Sequence, residues 1–141
     1  MFFLCCHRRT LYHHFVNISD EGWHLDSCCQ YYIPQLDSPM LYSYYLTLRH
    51  SSNYPYQNLW LEVSYIDTSH IISKDTIEIY LASTRGRWLG ESRGSVIEMP
   101  VILKSEGRFH SVSDRIVIRH LMRDTFLYGL YDIGLRIEKV N

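Results

Sequence analysis

Apolar and polar residues alternate along much of this chain. The alternation is regular over residues 45–49, 59–64 and 76–81, where Leu, Ile or Val occupies every second position. Side chains of a β-strand point alternately to its two faces, so a period of two is typical of a strand buried on one side. The three segments are predicted as half-buried strands. Their predicted core positions include Leu46, Leu48, Leu59, Leu61 and Val63.

Shorter apolar runs predict five further strands, at residues 12–18, 28–33, 96–103, 112–121 and 131–139. Residues that favour turns, such as Gly22, Pro39, Asn53, Gly86 and Gly107, fall between the runs. Helix signals are confined to one possible turn at residues 19–21 and another at 120–126. About eight antiparallel strands with little helix predict an all-β fold. An antiparallel β-sandwich of the jelly-roll or a related Greek-key type fits this pattern best.

The overall composition narrows the classes of partner. A length of 141 residues suits one domain, and 46% hydrophobic residues argue against disorder. The formal net charge is -1 and no basic block interrupts the chain, so we expect no nucleic-acid partner. The chain contains no run of about 18 apolar residues, so no membrane-spanning helix is predicted.

Cysteine and histidine residues do not form a recognisable metal-binding motif. Cys28 and Cys29 are adjacent, which differs from the C-x-x-C spacing of zinc and redox sites. On a strand they would point to opposite faces, so at most one is expected in the core. A disulfide to the N-terminal pair Cys5 and Cys6 is the alternative in an oxidising compartment. The eight His residues are scattered, and no metal is predicted.

No motif predicts catalysis. Gly94-Ser95 and Gly90-Glu91-Ser92 do not complete the G-x-S-x-G elbow of serine hydrolases. A glycosidase would need two carboxylates at a defined separation, which spacing along the chain does not give. No catalytic residue is therefore assigned from the sequence.

Binding is the better prediction, because large aromatic side chains cluster around one predicted loop. The candidate partner contacts are Arg49, His50, Tyr54, Tyr56 and Trp88. Exposed rings of this kind can anchor a protein or stack on a sugar. Core packing is the competing role for Trp88, and we expect the same of Trp60 because an indole buries a large area.

Arginine residues at polar strand positions have a competing role of their own. Arg49, Arg119, Arg123 and Arg136 alternate with apolar residues, as expected for the exposed face of a strand. There they could pair with acidic side chains on neighbouring strands. The acidic candidates are Glu62, Asp124, Asp132 and Glu138. Cross-strand ion pairs are the predicted role of these arginines.

The N-terminus has the character of a residual export signal. Met1 to Cys6 is a short apolar run that ends in two cysteines, and it lacks the basic region that opens a secretory signal. An ordinary frayed terminus is the alternative. Residues 1–10 are predicted to be a residual signal or lipid-anchor segment and tether, and residues 11–141 a single β-sandwich domain.

A series of short motifs along the chain resembles the gliding-motility-associated lipoprotein GldH family. In order, the motifs are Gly22-Trp23, Tyr-x-Leu-x-Leu-Arg-His at 44–50, Tyr-Pro-Tyr-x-Asn-Leu-Trp-Leu at 54–61, Asp75-Thr76, Leu81-Ala82, Trp88-Leu89-Gly90, Met122-Arg123 and Asp-Ile-Gly-Leu-Arg-Ile-Glu at 132–138. The resemblance implies a bacterial envelope lipoprotein, membrane-anchored and facing the periplasm. It implies lipidation at Cys6 or Cys5, although Phe3 and Leu4 depart from the small residues that such a signal favours.

The resemblance also implies a functional class. It predicts a non-enzymatic structural or assembly component of the gliding motility and type IX secretion machinery. Its partners would be other envelope proteins of that apparatus, and it would contact the membrane through an N-terminal lipid anchor if the true start lies upstream of Met1. The resemblance implies no enzyme activity, cofactor or small-molecule substrate. The alternative that the residues leave open is a carbohydrate-binding β-sandwich module of the cell envelope.

Overall fold

A computed structural model describes residues 10–34, 42–68, 70–107 and 115–139, with only the backbone described at residue 72 and residues 104–107. The described residues form eleven β-strands. In chain order these are β1 (Thr10–Asn17), β2 (Trp23–His24), β3 (Cys29–Tyr32), β4 (Tyr42–Ser51), β5 (Asn58–Asp67), β6 (His70–Tyr80), β7 (Glu91–Arg93), β8 (Val96–Gly107), β9 (Arg115–His120), β10 (Phe126–Leu127) and β11 (Leu130–Lys139).

Two antiparallel sheets hold the long strands. One has five strands in the order β1-β11-β4-β8-β7, and the other has four in the order β3-β9-β5-β6. Strands β10 and β2 pair with each other as a separate two-stranded antiparallel sheet. The two large sheets are linked where the Tyr31 hydroxyl on β3 donates to the Ile133 carbonyl on β11 at 2.6 Å. The predicted antiparallel β-sandwich is confirmed.

The core lies between the inner faces of the two large sheets. Leu46 and Leu48 from β4 and Leu59, Leu61 and Val63 from β5 are fully buried, as the alternating pattern predicts. Four tyrosines with almost no exposed surface also belong to the core, namely Tyr31, Tyr42, Tyr44 and Tyr65. Tyr44 and Tyr65 meet edge to face at 6.5 Å between ring centroids, which fills the gap between β4 and β5 with a favourable aromatic geometry.

Each of the eight predicted strands corresponds to a long strand of the structure. The short strands β2, β7 and β10 were not predicted, because two or three residues are too few to show a period. Within the described ranges there is no helix. A single hydrogen-bonded turn does form where one was predicted at residues 19–21, since the Gly22 N–H donates to the Ser19 carbonyl at 2.9 Å, but none forms at residues 120–126. Likewise, none of the described residues belongs to a helix that could cross a membrane.

Two of the four cysteines, Cys28 and Cys29, lie among the residues that the structure describes. Cys28 is exposed and Cys29 is buried, and both are free thiols, in agreement with the prediction that at most one would enter the core. Cys5 and Cys6 lie outside the described residues, as does most of the predicted tether. Strand β1 begins at Thr10, the last residue assigned to that tether.

Candidate functional site

An open groove of about 530 Å³ lies beside the first residues of β5. One wall comes from the connection between β4 and β5, and the other from the loop that follows β9. The groove is lined by Tyr56, Trp60, Leu121, Met122, Arg123 and Asp124. We call this set the aromatic groove. Three of its apolar side chains are more than a third exposed, Tyr56 and Trp60 at 38% and Leu121 at 37%, so the groove presents apolar surface to solvent.

Tyr54 anchors the wall formed by the β4–β5 connection. Its side chain is 3% exposed, and its hydroxyl donates to the Asn58 carbonyl at 2.7 Å. Gly129 packs against its backbone so closely that an added Cβ would lie 2.7 Å from the Tyr54 Cα atom. Gly129 also has a φ of +94°, which a residue with a side chain rarely adopts. The close packing of Gly129 and the burial of Tyr54 therefore hold the β4–β5 connection against the rest of the domain.

Tyr56 bridges the two walls. Pro55 fixes an extended bend between the tyrosines, so that Tyr54 points inward and Tyr56 outward, with their rings edge to face at 6.0 Å. The Tyr56 hydroxyl donates to Asp124 Oδ1 at 2.7 Å. This hydrogen bond to the carboxylate raises the pKa of Tyr56, because ionising the phenol would remove the donor. The bridge fixes the width of the groove.

Trp60 forms the floor. Its neighbours Leu59 and Leu61 face the core, so the indole projects from the outer face of the sheet. The backbone on either side of the indole is tied to the second wall, since the Leu121 N–H donates to the Trp60 carbonyl at 2.8 Å. The Trp60 N–H donates to Met122 Sδ at 3.4 Å. The backbone of Trp60 is thus fixed by the second wall while its side chain stays 38% exposed.

His120 holds the loop after β9 in place. One ring nitrogen, Nε2, donates to the Trp23 carbonyl at 2.9 Å, and the other, Nδ1, accepts from the Met122 N–H at 3.2 Å. Both bonds together require a neutral ring with its proton on Nε2. Burial lowers the pKa of His120, which favours that neutral form, although the hydrogen bond to Trp23 acts in the opposite direction. A neutral His120 therefore supports the second wall.

Arg123 gives the groove its free charge. The side chain is exposed, and among the described residues no acidic group forms an ion pair with it. Asp124 beside it is already engaged by Tyr56. The arrangement is an apolar, aromatic surface with one available guanidinium, and a bidentate pair with a carboxylate of a bound partner would satisfy that group.

Comparison with known proteins identifies the family. A model of the GldH lipoprotein family matches residues 10–137 of the chain. The chain belongs to the GldH lipoprotein family. Two curated relatives are the gliding motility lipoprotein GldH of Flavobacterium johnsoniae and the GldH homolog of Christiangramia forsetii. The first is 27% identical over 95% of this chain and 87% of its own, and the second 28% identical over 97% and 88%.

Solved structures add little to this assignment. Two structures of the tobacco streak virus coat protein align with 90% of this chain and with 85% and 86% of theirs. Their sequence identities are 13% and 10%, and their TM-scores are 0.32 and 0.30. TM-scores this low do not indicate a shared fold.

In this GldH family member, two of the five predicted contact residues are buried. His50 has no exposed surface and Tyr54 only 3%, so neither side chain can meet a partner in this conformation. His50 belongs to β4 and shares the inward face of Leu48, two residues earlier. Its ring packs 4.8 Å from that of Trp88, which is half-buried against the core. The prediction for His50 and Tyr54 is corrected from contact to scaffold.

Arg49 lies on the opposite sheet from the aromatic groove, within a cross-strand network. Its guanidinium is 3.6 Å from Asp132 and 3.8 Å from Glu98, and it stacks 3.9 Å from the centroid of the Phe15 ring. Phe15 in turn covers Gly134, where a Cβ would lie 2.5 Å from the ring. The predicted pairing role is confirmed for Arg49, and for Arg119 it is confirmed by the 3.9 Å contact with Glu62. Arg136 instead lies 3.1 Å from Glu138 of its own strand, and the pair predicted for Arg123 is not found among the described residues.

Tyr56 is the one predicted contact residue that the structure places in the groove. Trp60 was expected in the core and is exposed instead, because strand alternation outweighs the tendency of an indole to be buried. The sequence contained this signal, since Trp60 stands between two core leucines. Nothing in the local pattern pointed to residues 121–124, which reach the site through the β5–β9 pairing.

Metal binding receives no support from the described side chains. No three His, Cys, Asp or Glu residues among them lie together as a possible ligand set. The lipidation candidates Cys6 and Cys5 lie outside the described residues.

Proposed function

We propose that this chain is a non-enzymatic envelope lipoprotein that serves as a structural or assembly component of the gliding motility machinery and the linked type IX secretion apparatus. The observation that carries the proposal is the match to the GldH lipoprotein family over residues 10–137. The two curated relatives, whose names specify gliding motility, match along nearly the whole chain. In this proposal the sandwich is a docking body and the aromatic groove is its contact with other envelope proteins.

The chemistry of the groove supports docking of a protein. Trp, Tyr and Arg are the residues most often found to dominate binding energy at protein interfaces, and the groove has one of each exposed. The Tyr56 side chain is already held by its hydrogen bond to Asp124, and the Trp60 backbone is held by Leu121 and Met122, so ordering these two residues on binding would cost less conformational entropy. A partner segment with an apolar side chain and a carboxylate would complement Trp60 and Arg123.

Anchoring by lipid is the second part of the proposal. The protein would be held in the membrane by diacylglyceryl modification of Cys6 or Cys5, with the sandwich facing the periplasm. Two acyl chains suffice for stable anchoring, whereas one is marginal. Mass spectrometry of the N-terminal peptide from the native envelope is expected to show the lipid. An unmodified N-terminus on a protein that fractionates away from membranes would contradict this part.

A genetic experiment tests the function as a whole. The gene is deleted in its own bacterium and restored with the wild-type chain, with Trp60→Ala or with Tyr32→Ala. Tyr32 is a matched aromatic control, 68% exposed on the far edge of the same sheet. We expect the deletion and Trp60→Ala to reduce colony spreading and the secretion of type IX substrates, and Tyr32→Ala to restore both. Normal spreading and secretion in the deletion strain would refute the proposal.

A carbohydrate is the second candidate ligand of the groove, favoured by the open indole face of Trp60 beside the polar Arg123 and Asp124. A glycan array with wild-type protein and with Trp60→Ala distinguishes the two. Binding to envelope glycans that Trp60→Ala abolishes would support this candidate, and an array without binding would remove it.

A further inference from the structure

Strand β6 forms one edge of the four-stranded sheet. It runs for eleven residues, His70–Tyr80, and within the described part of the chain it pairs with β5 alone. Edge strands are usually protected from pairing with another chain by a proline, a bulge, charged side chains or a covering segment. The charged residues of β6 include Lys74 and Asp75, and a register shift separates Ile71 from Ser73. No proline occurs in β6, and its register with β5 is regular from Ser73 to Tyr80. From Ser73 to Tyr80 the edge is therefore a regular ladder without proline, which can accept a further strand whose charges complement its own.

The hydrogen bonds to β5 show which residues of β6 direct their backbone groups outward. The Leu81 N–H donates to the Gln57 carbonyl at 2.8 Å, so this pair is a hydrogen-bonded pair of the antiparallel ladder. Such pairs recur at every second residue, which turns the backbone of Ile79 and Ile77 toward β5. The alternate residues have N–H and C=O groups that point away from the sheet. They are Lys74, Thr76, Glu78 and Tyr80.

We propose that β6 pairs antiparallel with β6 of a second copy of this chain, about a two-fold axis at Thr76. In this register Thr76 faces Thr76 of the second copy, and Lys74 faces its Glu78. The two-fold symmetry repeats the Lys74–Glu78 pair on the other side of the axis. Each of these is a pair of outward-directed residues, so each can exchange two backbone hydrogen bonds. The two four-stranded sheets would become one continuous sheet.

Charge complementarity selects this register over its neighbours. A shift by one residue would place an inward-directed residue opposite an outward-directed one and lose the ladder. A shift by two in either direction places Thr76 opposite Lys74 or Glu78 of the second copy, and no pair of opposite charges is then aligned. Only the axis at Thr76 aligns Lys74 with Glu78, and does so twice. Opposite charges directly across strands favour pairing and like charges oppose it.

Contacts within one copy hold these side chains on the outer face of the sheet. Lys74 Nζ lies 3.6 Å from Glu62 Oε1, and the Lys74 side chain remains 48% exposed. Glu78 Oε2 accepts a hydrogen bond from the Asn58 side chain at 2.8 Å. Lys74 and Glu78 therefore already lie on the face of the sheet where the side chains of the second copy would meet them. The Lys74 ammonium has further hydrogen-bond donors, and the Glu78 carboxylate has further acceptor positions, that a second copy could use.

Charge reversal on the full chain tests the proposal. Sedimentation equilibrium is measured for wild type, Lys74→Glu, Glu78→Lys and the double variant Lys74→Glu/Glu78→Lys. Each single reversal creates two like-charge pairs and is expected to weaken dimerisation roughly tenfold or more. The double variant restores opposite charges in the same register and is expected to dimerise as wild type does. The double variant still lacks the Lys74–Glu62 contact. Recovery of dimerisation in that variant would therefore show that the single reversals act through the interface and not through loss of this contact.

Cross-linking locates the axis. In a background with Cys5, Cys6 and Cys28 replaced by Ser, a short bismaleimide is expected to join two copies of Thr76→Cys efficiently. The control is His70→Cys on the same strand, because its two copies would lie roughly 40 Å apart in this register. A protein that stays monomeric up to millimolar concentration would overturn the proposal. So would a dimer that tolerates both single reversals, or one that cross-links equally well at positions 70 and 76.

Discussion

At the residue scale, two tyrosines that are only two positions apart in sequence have different roles. Tyr54 and Tyr56 flank Pro55, and the bend turns one ring into the core and the other into the groove. Trp60 obeys the same rule of alternation from the other side, with leucines on both sides directed inward. Side-chain direction, and not side-chain type, determines which aromatic residues of this segment stabilise the fold and which are available to a partner.

Truncation to alanine is expected to destabilise the protein strongly at Tyr54 and only slightly at Trp60. Tyr54→Ala should lower the free energy of unfolding by about 3–5 kcal/mol, because it empties a buried aromatic site and removes a hydrogen bond. Trp60→Ala, at an exposed position, should change it by less than about 1 kcal/mol. Urea denaturation of the two variants measures both. A large loss of stability in Trp60→Ala would return that residue to the core.

His120 is expected to make stability depend on pH. Its folded-state pKa is lowered by burial, so the unfolded chain takes up more protons as the pH falls below the ordinary value of about 6.5. Stability should therefore fall between pH 7.5 and 5.5. His50, whose pKa burial also lowers, contributes with the same sign, whereas Asp132 has a raised pKa and opposes the trend at lower pH.

Comparison of wild type with His120→Gln by urea denaturation at the two pH values isolates that residue. The variant is expected to lose the contribution of His120 and to keep those of His50 and His13, whose pKa values burial also lowers. An unchanged slope would show that His120 does not titrate as its hydrogen bonds require.

At the scale of elements, the strands could be predicted and their assembly could not. The period of two gave the inward faces of β4 and β5 correctly, because it records only which side of one strand is buried. Extended over the whole of β4, the same period would put His50, Tyr42 and Tyr44 on the inward face. These residues lie beyond the regular apolar run, so β4 was predicted too short and His50 was predicted as a contact instead. The groove depends on β9 pairing with β5, a contact between distant parts of the chain that local pattern cannot show.

Gly129 offers a test of how the β4–β5 connection is held. Gly129→Ala should destabilise the protein by about 2–3 kcal/mol, since the methyl group meets the Tyr54 backbone at a left-handed φ. Gly86→Ala is the matched control, because φ is +79° there and nothing lies within 4 Å of the added Cβ. Its cost should be about 1 kcal/mol. Equal losses in urea denaturation would mean that the contact with Tyr54 contributes nothing.

At the scale of the whole molecule, the sandwich presents separate surfaces on one sheet. The aromatic groove lies at the start of β5 and the end of β9, and the β6 edge lies alongside. Tyr32, on the opposite edge strand, is exposed without belonging to either surface. This division allows one surface to be altered while the other serves as a control, and it suits a protein whose proposed task is to hold other components together.

The most direct test of the proposed function is photo-cross-linking in living cells. A photoreactive phenylalanine analogue is introduced at position 60 and, as control, at position 32, and cross-linked products are recovered from the envelope. We predict that position 60 captures a discrete envelope protein of the gliding or secretion apparatus and that position 32 does not. Capture of no protein at position 60, or of the same products at both positions, would contradict the role assigned to the aromatic groove.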